Sequence, residues 1–248
     1  VEQGEYFDVL PYAERAGYYL MGMIKTVKLP RKLKVGFSNS PANVTHATFR
    51  DLGFMAKENG LFDVYSAGGL GNNYKMGVKV AEDVKPKEVL YYVEAMVRTF
   101  TTYGNYESRA KSRTRYMQET LGVEGYKKAY QEKLIEVKAE FKDSLLIKES
   151  SVSAEQESNT EESVVSIKEQ ESPLKNVAAY PQTECASERV ITQKQAELYA
   201  VAYHPIGGMV PAQKFEEIYE VIKNAAKAEV RVAPDETLYI INLNAQQA

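Results

Sequence analysis

Apolar and aromatic residues recur at helical spacing over residues 5–26, where Tyr12, Ala16, Tyr19 and Met23 fall on one face. After Leu29 the period drops to two. Leu33, Val35 and Phe37 alternate with Lys32, Lys34 and Gly36, which predicts a strand with one apolar face and one that looks at water or at an anion. A hairpin is expected next: extended runs at 49–56 and 61–66 flank Asn59 and Gly60, a dipeptide that readily supplies positive φ in a tight turn. The second run leads into Gly68, Gly69 and Gly71. Residues 84–100 predict an amphipathic helix, with Pro86 in its first turn and Val89, Val93, Met96 and Phe100 as its stripe. Asn105 is placed to cap a further helix reaching Leu121, with Gly122 at its end. A last helix carries Tyr126, Tyr130, Leu134, Val137 and Phe141 on one face and mostly Lys and Glu on the other.

Residues 147–173 are rich in Ser and Glu and poor in aromatics, and read as a mobile acidic linker in which a regulatory phosphosite is the alternative to a plain tether. Beyond it a β-α-β-β pattern places strands at 198–203, 229–232 and 237–242 around a helix at 212–225. That is half of a split β-α-β unit, and half a unit leaves an apolar face and sheet edges without a mate. The expected architecture is α+β: a larger domain at 1–146, a linker at 147–187 and a ferredoxin-like half-domain at 188–248.

The chain has 248 residues, 44% hydrophobic and 26% charged, ordinary for a globular protein. No window approaches the roughly 18 consecutive apolar residues of a membrane span, and no basic segment precedes an apolar leader, so no membrane association is expected and a cytoplasmic location is. The opening at Val1, already inside a helical pattern, suggests a piece of a longer protein. With 31 basic and 34 acidic residues the net charge of −3 argues against nucleic acid as a partner. Cys185 stands alone, and His46 and His204 are isolated, so no metal-ligand set is expected within this chain.

Local clusters must therefore carry any anion chemistry. Residues 108–116, "SRAKSRTRY", hold Arg109, Lys111, Arg113 and Arg115 without one acid. On a helix Arg109 and Arg113 would share a face; such unpaired like charges cost stability, which either a bound polyanion or a solvated face with distant acidic partners relieves. The cluster "AGGLGNN" lacks dinucleotide-fingerprint spacing and fits a bend between strands or a loop that hugs a ligand. No hydrolytic triad or carboxylate pair is recognisable. Two lysines on a strand, a basic segment and a glycine loop add up to a pocket for a large, flat, multiply anionic ligand.

Three stretches, "LPRKLKVGFSNSPAN", "RDLGFMAKENGLFDVYSAGGLG" and "TYGNYESRAKSRTRYMQETLGVEGYKKAYQ", resemble in order and spacing the central domain of siroheme- and [4Fe-4S]-dependent nitrite and sulfite reductases. The segment beginning "AELYAVAYHPIGGMV" is similar to that family's second ferredoxin-like half-domain. The resemblance implies six-electron reduction of sulfite to sulfide or nitrite to ammonia, with Lys32 and Lys34 binding the oxyanion and helping deliver protons, and Arg31 beside them. It implies that Gly68, Gly69, Gly71, Asn105, Arg109 and Arg113 border siroheme or its carboxylates. Two departures bear on this: Tyr106 follows Gly104 and Asn105 where relatives often have Arg, and Ala233, Pro234, Asp235 and Glu236 stand where relatives often have Thr and an amide. The family's cluster cysteines lie in a domain after the second half-domain, so the resemblance implies partners in the remaining domains of a parent chain and in an electron-donor protein or subunit. The alternative is a non-catalytic tetrapyrrole- or anion-binding module.

Overall fold

The computed structural model describes residues 3–148, 187–225 and 227–248. Cys185 and most of the Ser/Glu-rich segment expected as a linker lie outside the described residues. The chain divides into a larger unit, Glu5–Glu162, and a smaller one that takes in Ser163–Ala248.

The larger unit is a four-stranded sheet with three helices: α1 (Leu10–Met23), β1 (Val35–Ser38), β2 (Leu52–Ala56), β3 (Phe62–Ser66), β4 (Val78–Val84), α2 (Val89–Tyr103) and α3 (Met117–Phe141). The strands lie in the order β1-β2-β3-β4, with β1 parallel to β2 and the remaining pairs antiparallel. The β2–β3 hairpin forms where Asn59 and Gly60 predict it; Gly60 has φ +78°, and the Lys57 amide donates to the Leu61 carbonyl at 2.8 Å. Phe37, Phe54 and Phe62 pack with Phe7 and Tyr12 in stacked and edge-on contacts on the core face. Helix α2 is buried nearly all round, so it runs through the core rather than along its surface. Its one buried acid, Glu94, accepts from Arg98 at 2.7 Å and from the Tyr19 hydroxyl at 3.0 Å.

Four local expectations are corrected. Strand β1 starts at Val35 and not near Leu29, because the Lys34 amide is taken by the Asp51 carboxylate at 2.8 Å instead of by a strand. Lys32 and Lys34 are exposed on the approach to the strand, while Leu33 and Val35 are half-buried and Phe37 is buried, so the alternation holds without the ladder. Val84 ends β4, a strand the sequence reading did not anticipate, and α2 begins only after a 3-10 turn at Pro86–Glu88. The residue before a proline avoids the helical region, and Lys85 is extended at φ −66°, ψ 134°.

The largest difference falls at 105–116, ahead of residues 117–121, which are helical as expected. In place of one helix there are two 3-10 turns, Arg109–Lys111 and Thr114–Tyr116, with Arg113 extended between them. The Asn105 side chain accepts from the Glu107 and Ser108 amides at 2.9 and 2.8 Å, and the Ser112 hydroxyl donates to the Arg109 carbonyl at 2.9 Å. Short polar side chains here compete with the helix for backbone groups. The row of unpaired cations is also spared the helical spacing that would stack it. Helix α3 then runs to Phe141 with a break at Gly122, whose φ 71°, ψ 165° only glycine readily adopts.

In the smaller unit, β5 (Val190–Thr192), β6 (Tyr199–Tyr203), β7 (Glu229–Val232) and β8 (Leu238–Leu243) form an antiparallel sheet in the order β5-β6-β8-β7, with helix α4 (Ala212–Ile222) following β6 in the chain. Strand β5 was not anticipated. Ala200, Leu238, Ile241 and Leu243 are buried, yet no described residue of α4 is, and Phe215, Tyr219, Val221 and Val232 stay exposed. The apolar face expected of half a unit is present. Ala233, Asp235 and Glu236 lie in the tight β7–β8 turn, where the Glu236 amide donates to the Ala233 carbonyl at 3.0 Å.

Candidate functional site

Three segments of the larger unit meet beside the N-terminal ends of β1 and β2. The first is the approach to β1, carrying Lys32 and Lys34. The second is the 3-10 turn region of Arg113 and Arg115. The third is the loop after β3, with Gly68 and Gly69. Together with Phe49, Arg50, Asp51 and Leu70, the residues Lys34, Gly68, Gly69, Arg113 and Arg115 line a cleft of about 120 Å³.

Contacts to main-chain carbonyls hold the cations at its edge. Arg113 donates to the Lys32 carbonyl at 3.4 Å, Arg50 to the Thr45 carbonyl at 2.8 Å, and Arg115 to the Leu70 carbonyl at 3.4 Å while lying over the Tyr116 ring. Among the described residues, none of Lys32, Lys34, Arg50, Arg113 and Arg115 has a carboxylate within ion-pairing distance. The Nε of Arg115 is buried with no hydrogen-bond partner, an unusual state for a charged donor. Partial burial, then the charges of Lys32, Arg113 and Arg50, hold the Lys34 ammonium below the usual lysine range, and Asp51 opposes the shift.

The glycine loop is short of side chains because the backbone needs the space. A Cβ on Gly68 would fall 2.8 Å from the Arg50 carbonyl oxygen and 2.9 Å from the Phe49 Cα, and one on Gly69 would fall 3.0 Å from the Arg115 guanidinium. Gly69 and Lys75 exchange two backbone hydrogen bonds of 2.9 Å, closing a small loop around Gly71, which is exposed with φ +114°. The first turn of α3 fastens this loop: Gln118 donates to the Ala67 and Met76 carbonyls at 2.7 and 2.9 Å, and Glu119 accepts from Asn73 at 2.8 Å.

Of the residues singled out from sequence, Lys34, Gly68, Gly69 and Arg113 line one cleft, and Lys32 is tied to it through Arg113. Asn105 and Arg113 line a second cleft of about 260 Å³ with Tyr103, Lys111 and Tyr116. Arg31, Gly71 and Arg109 line neither, and Arg109 does not share a helix face with Arg113. Sequence reasoning passed over Arg50, Asp51 and Thr114, and left Arg115 as one more charge in a run. Asp51 is 5% exposed, and the signal that could have marked it is a lone acid at the mouth of an otherwise apolar strand.

Comparison with known proteins turns this geometry into a family assignment. Residues 1–138 match the family model described as the nitrite and sulphite reductase 4Fe-4S domain. The chain belongs to this family. A stretch of 116 residues is 33% identical to the sulfite reductase [NADPH] hemoprotein beta-component of Geobacillus kaustophilus and 31% identical to that of Bacillus subtilis. In each case the match takes in 43% of this chain and 20% of the relative, so the chain aligns with about a fifth of these reductases. The fold is similar to that of the Mycobacterium tuberculosis NirA protein, with a TM-score of 0.67 and 22% identity over 98% of this chain and 39% of that one. The α+β architecture of the family is therefore carried here by both units.

The donor set suits the prosthetic group this family implies. Siroheme is rich in carboxylates, and the cleft offers unpaired guanidinium and ammonium groups, one with an orphaned N–H, beside a backbone without side chains. At about 120 Å³ the cleft has room for one carboxylate arm or one small oxyanion. Among the described residues no group of His, Cys, Asp or Glu is arranged to hold a metal ion, and no helix is long and apolar enough to cross a membrane.

Proposed function

We propose that this chain forms the cationic wall of the siroheme pocket in a cytoplasmic reductase that takes sulfite to sulfide or nitrite to ammonia. The observation that carries the reading is the convergence of four cations, Lys34, Arg50, Arg113 and Arg115, on one cleft whose single carboxylate, the buried Asp51, forms an ion pair with none of them. Isolated cations this close repel one another, and an anion seated among them turns that repulsion into binding.

Siroheme, when bound, supplies the iron through which electrons reach the substrate. This chain's own groups have simpler tasks. Lys32 and Lys34 attract the oxyanion and fix its orientation, and Arg113 and Arg115 take the carboxylates of the macrocycle, where a planar fork outperforms a point charge. Cleavage of each S–O or N–O bond releases oxygen as water and so consumes protons. The Nζ of Lys34 holds a proton that partial burial and then its cationic neighbours make easier to give up, the direction a general acid near neutral pH requires. The [4Fe-4S] cluster and the electron donor belong to the remaining domains and partner of the longer protein.

Calorimetric titration of the chain with sulfite and with nitrite tests the reading. Wild type is expected to bind with an affinity that falls with added salt, and Lys32→Ala/Lys34→Ala to bind at least about tenfold more weakly, the equivalent of about 1.4 kcal/mol. Equal binding by both forms would place the oxyanion elsewhere.

A further inference from the structure

The residue that ties this site together is not one of its cations. Asp51, at the entrance of β2, is buried and bonded on every side. One carboxylate oxygen accepts the Lys34 amide at 2.8 Å, and the other accepts the hydroxyl of Thr114, which sits between Arg113 and Arg115. Its main-chain carbonyl accepts the Ser66 hydroxyl at 3.3 Å and, at 2.8 Å, the amide of Ala67, the residue before Gly68. The three segments that carry the lysines, the arginines and the glycines are thus joined at one residue.

The geometry points to Asp51 as the positioning residue of the anion site, its single carboxylate holding the lysine-bearing and arginine-bearing segments in register with the strand that opens the glycine loop. This rests on the reading of the cleft as an anion site. Burying an ionised carboxylate is costly, yet an apolar side chain of similar volume would leave the Lys34 amide and the Thr114 hydroxyl without an acceptor. A carboxylate adds two things here. It accepts on both oxygens at once, and it is the one negative charge among the ionisable groups facing Lys34, the others being Lys32, Arg50 and Arg113. Burial raises the Asp51 carboxyl above its ordinary range while the hydrogen bonds from Thr114 and the Lys34 amide draw it back.

Asp51→Asn and Asp51→Ala separate charge from shape. Asn keeps an oxygen for the Lys34 amide and an amide group for the Thr114 hydroxyl, but carries no charge; Ala keeps neither. The readout is the side-chain titration of Lys34 in chains labelled with ¹³Cε-lysine, assigned with Lys34→Arg, alongside thermal unfolding. Asp51→Asn is expected to unfold near wild type yet to move the Lys34 titration further down. Asp51→Ala is expected to lower stability and to scatter the amide resonances of Lys34, Thr114 and Gly68. A Lys34 titration unchanged by Asp51→Asn would overturn the inference. If neither variant folds, wild type still decides: the Lys34 amide must follow a carboxylate titration with a midpoint above that of an ordinary aspartate, and a Lys34 amide that does not respond to acid overturns the proposal. Adding sulfite to the same samples separates the two claims: no sulfite response in wild type with an intact Asp51–Lys34 linkage would sink the anion-site reading and leave the linkage standing.

Discussion

Replacing Gly68 by alanine tests how closely the glycine loop is pressed onto the site. Gly68 donates its amide to the Arg50 carbonyl at 3.0 Å. An added Cβ would meet the Arg50 oxygen and the Phe49 carbonyl carbon at 2.8 Å and the Phe49 Cα at 2.9 Å. Favourable carbon contacts lie at about 3.5–4.0 Å, and these neighbours are backbone, so no side chain can turn aside. The backbone of Gly68 is outside the left-handed region, which leaves crowding as the cost. Overpacking of this kind costs about 1–3 kcal/mol. In a unit of this size each kcal/mol lowers the unfolding midpoint by about 2–4 °C, so Gly68→Ala should unfold about 2–12 °C below wild type. Circular dichroism on heating measures the shift, and sulfite titration of the folded variant should show weaker binding, because the loop must move off Arg50. A variant that unfolds with wild type and binds sulfite equally well would refute the steric argument.

Two further outcomes are expected. Tyr126→Phe removes a fully buried hydroxyl 2.7 Å from the Ser66 Oγ, and denaturant unfolding should show a loss of about 0.5–1.5 kcal/mol, since Ser66 keeps the Asp51 carbonyl as a partner. Lys34→Ala should not lower the unfolding temperature at neutral pH: a lysine whose folded-state value is depressed binds fewer protons folded than unfolded, so its penalty is present at neutral pH and fades as the pH rises toward the ordinary lysine value of 10.5. Heating wild type and Lys34→Ala at neutral and at alkaline pH checks this, and a clear loss of stability at neutral pH would contradict it.

What the sequence disclosed was local. The Asn59–Gly60 turn, the stripe of α2 and the break at Gly122 are set by residues within a few positions of one another, and each is found where the pattern puts it. Strand β4 was hidden because its alternation, Val78 and Val80 with Val84, runs straight into the helical stripe that follows; only the rule for residues before proline separates them. The spacing after Asn105 permits a helix. The segment's actual course depends on Thr114 reaching an acid 63 positions earlier, which no window of adjacent residues contains. The same distance hid Asp51 and separated Arg109 from Arg113. Lys32 and Lys34 were legible because two cations in an alternating apolar run need a reason wherever they occur.

The most direct test of the central claim is a siroheme titration of the chain followed by absorbance, with Lys32→Ala/Lys34→Ala and Arg113→Ala alongside. A spectral shift is expected when siroheme binds wild type, with markedly weaker binding by both variants. Equal binding by all three chains, or none by wild type in a form that unfolds cooperatively, would contradict it.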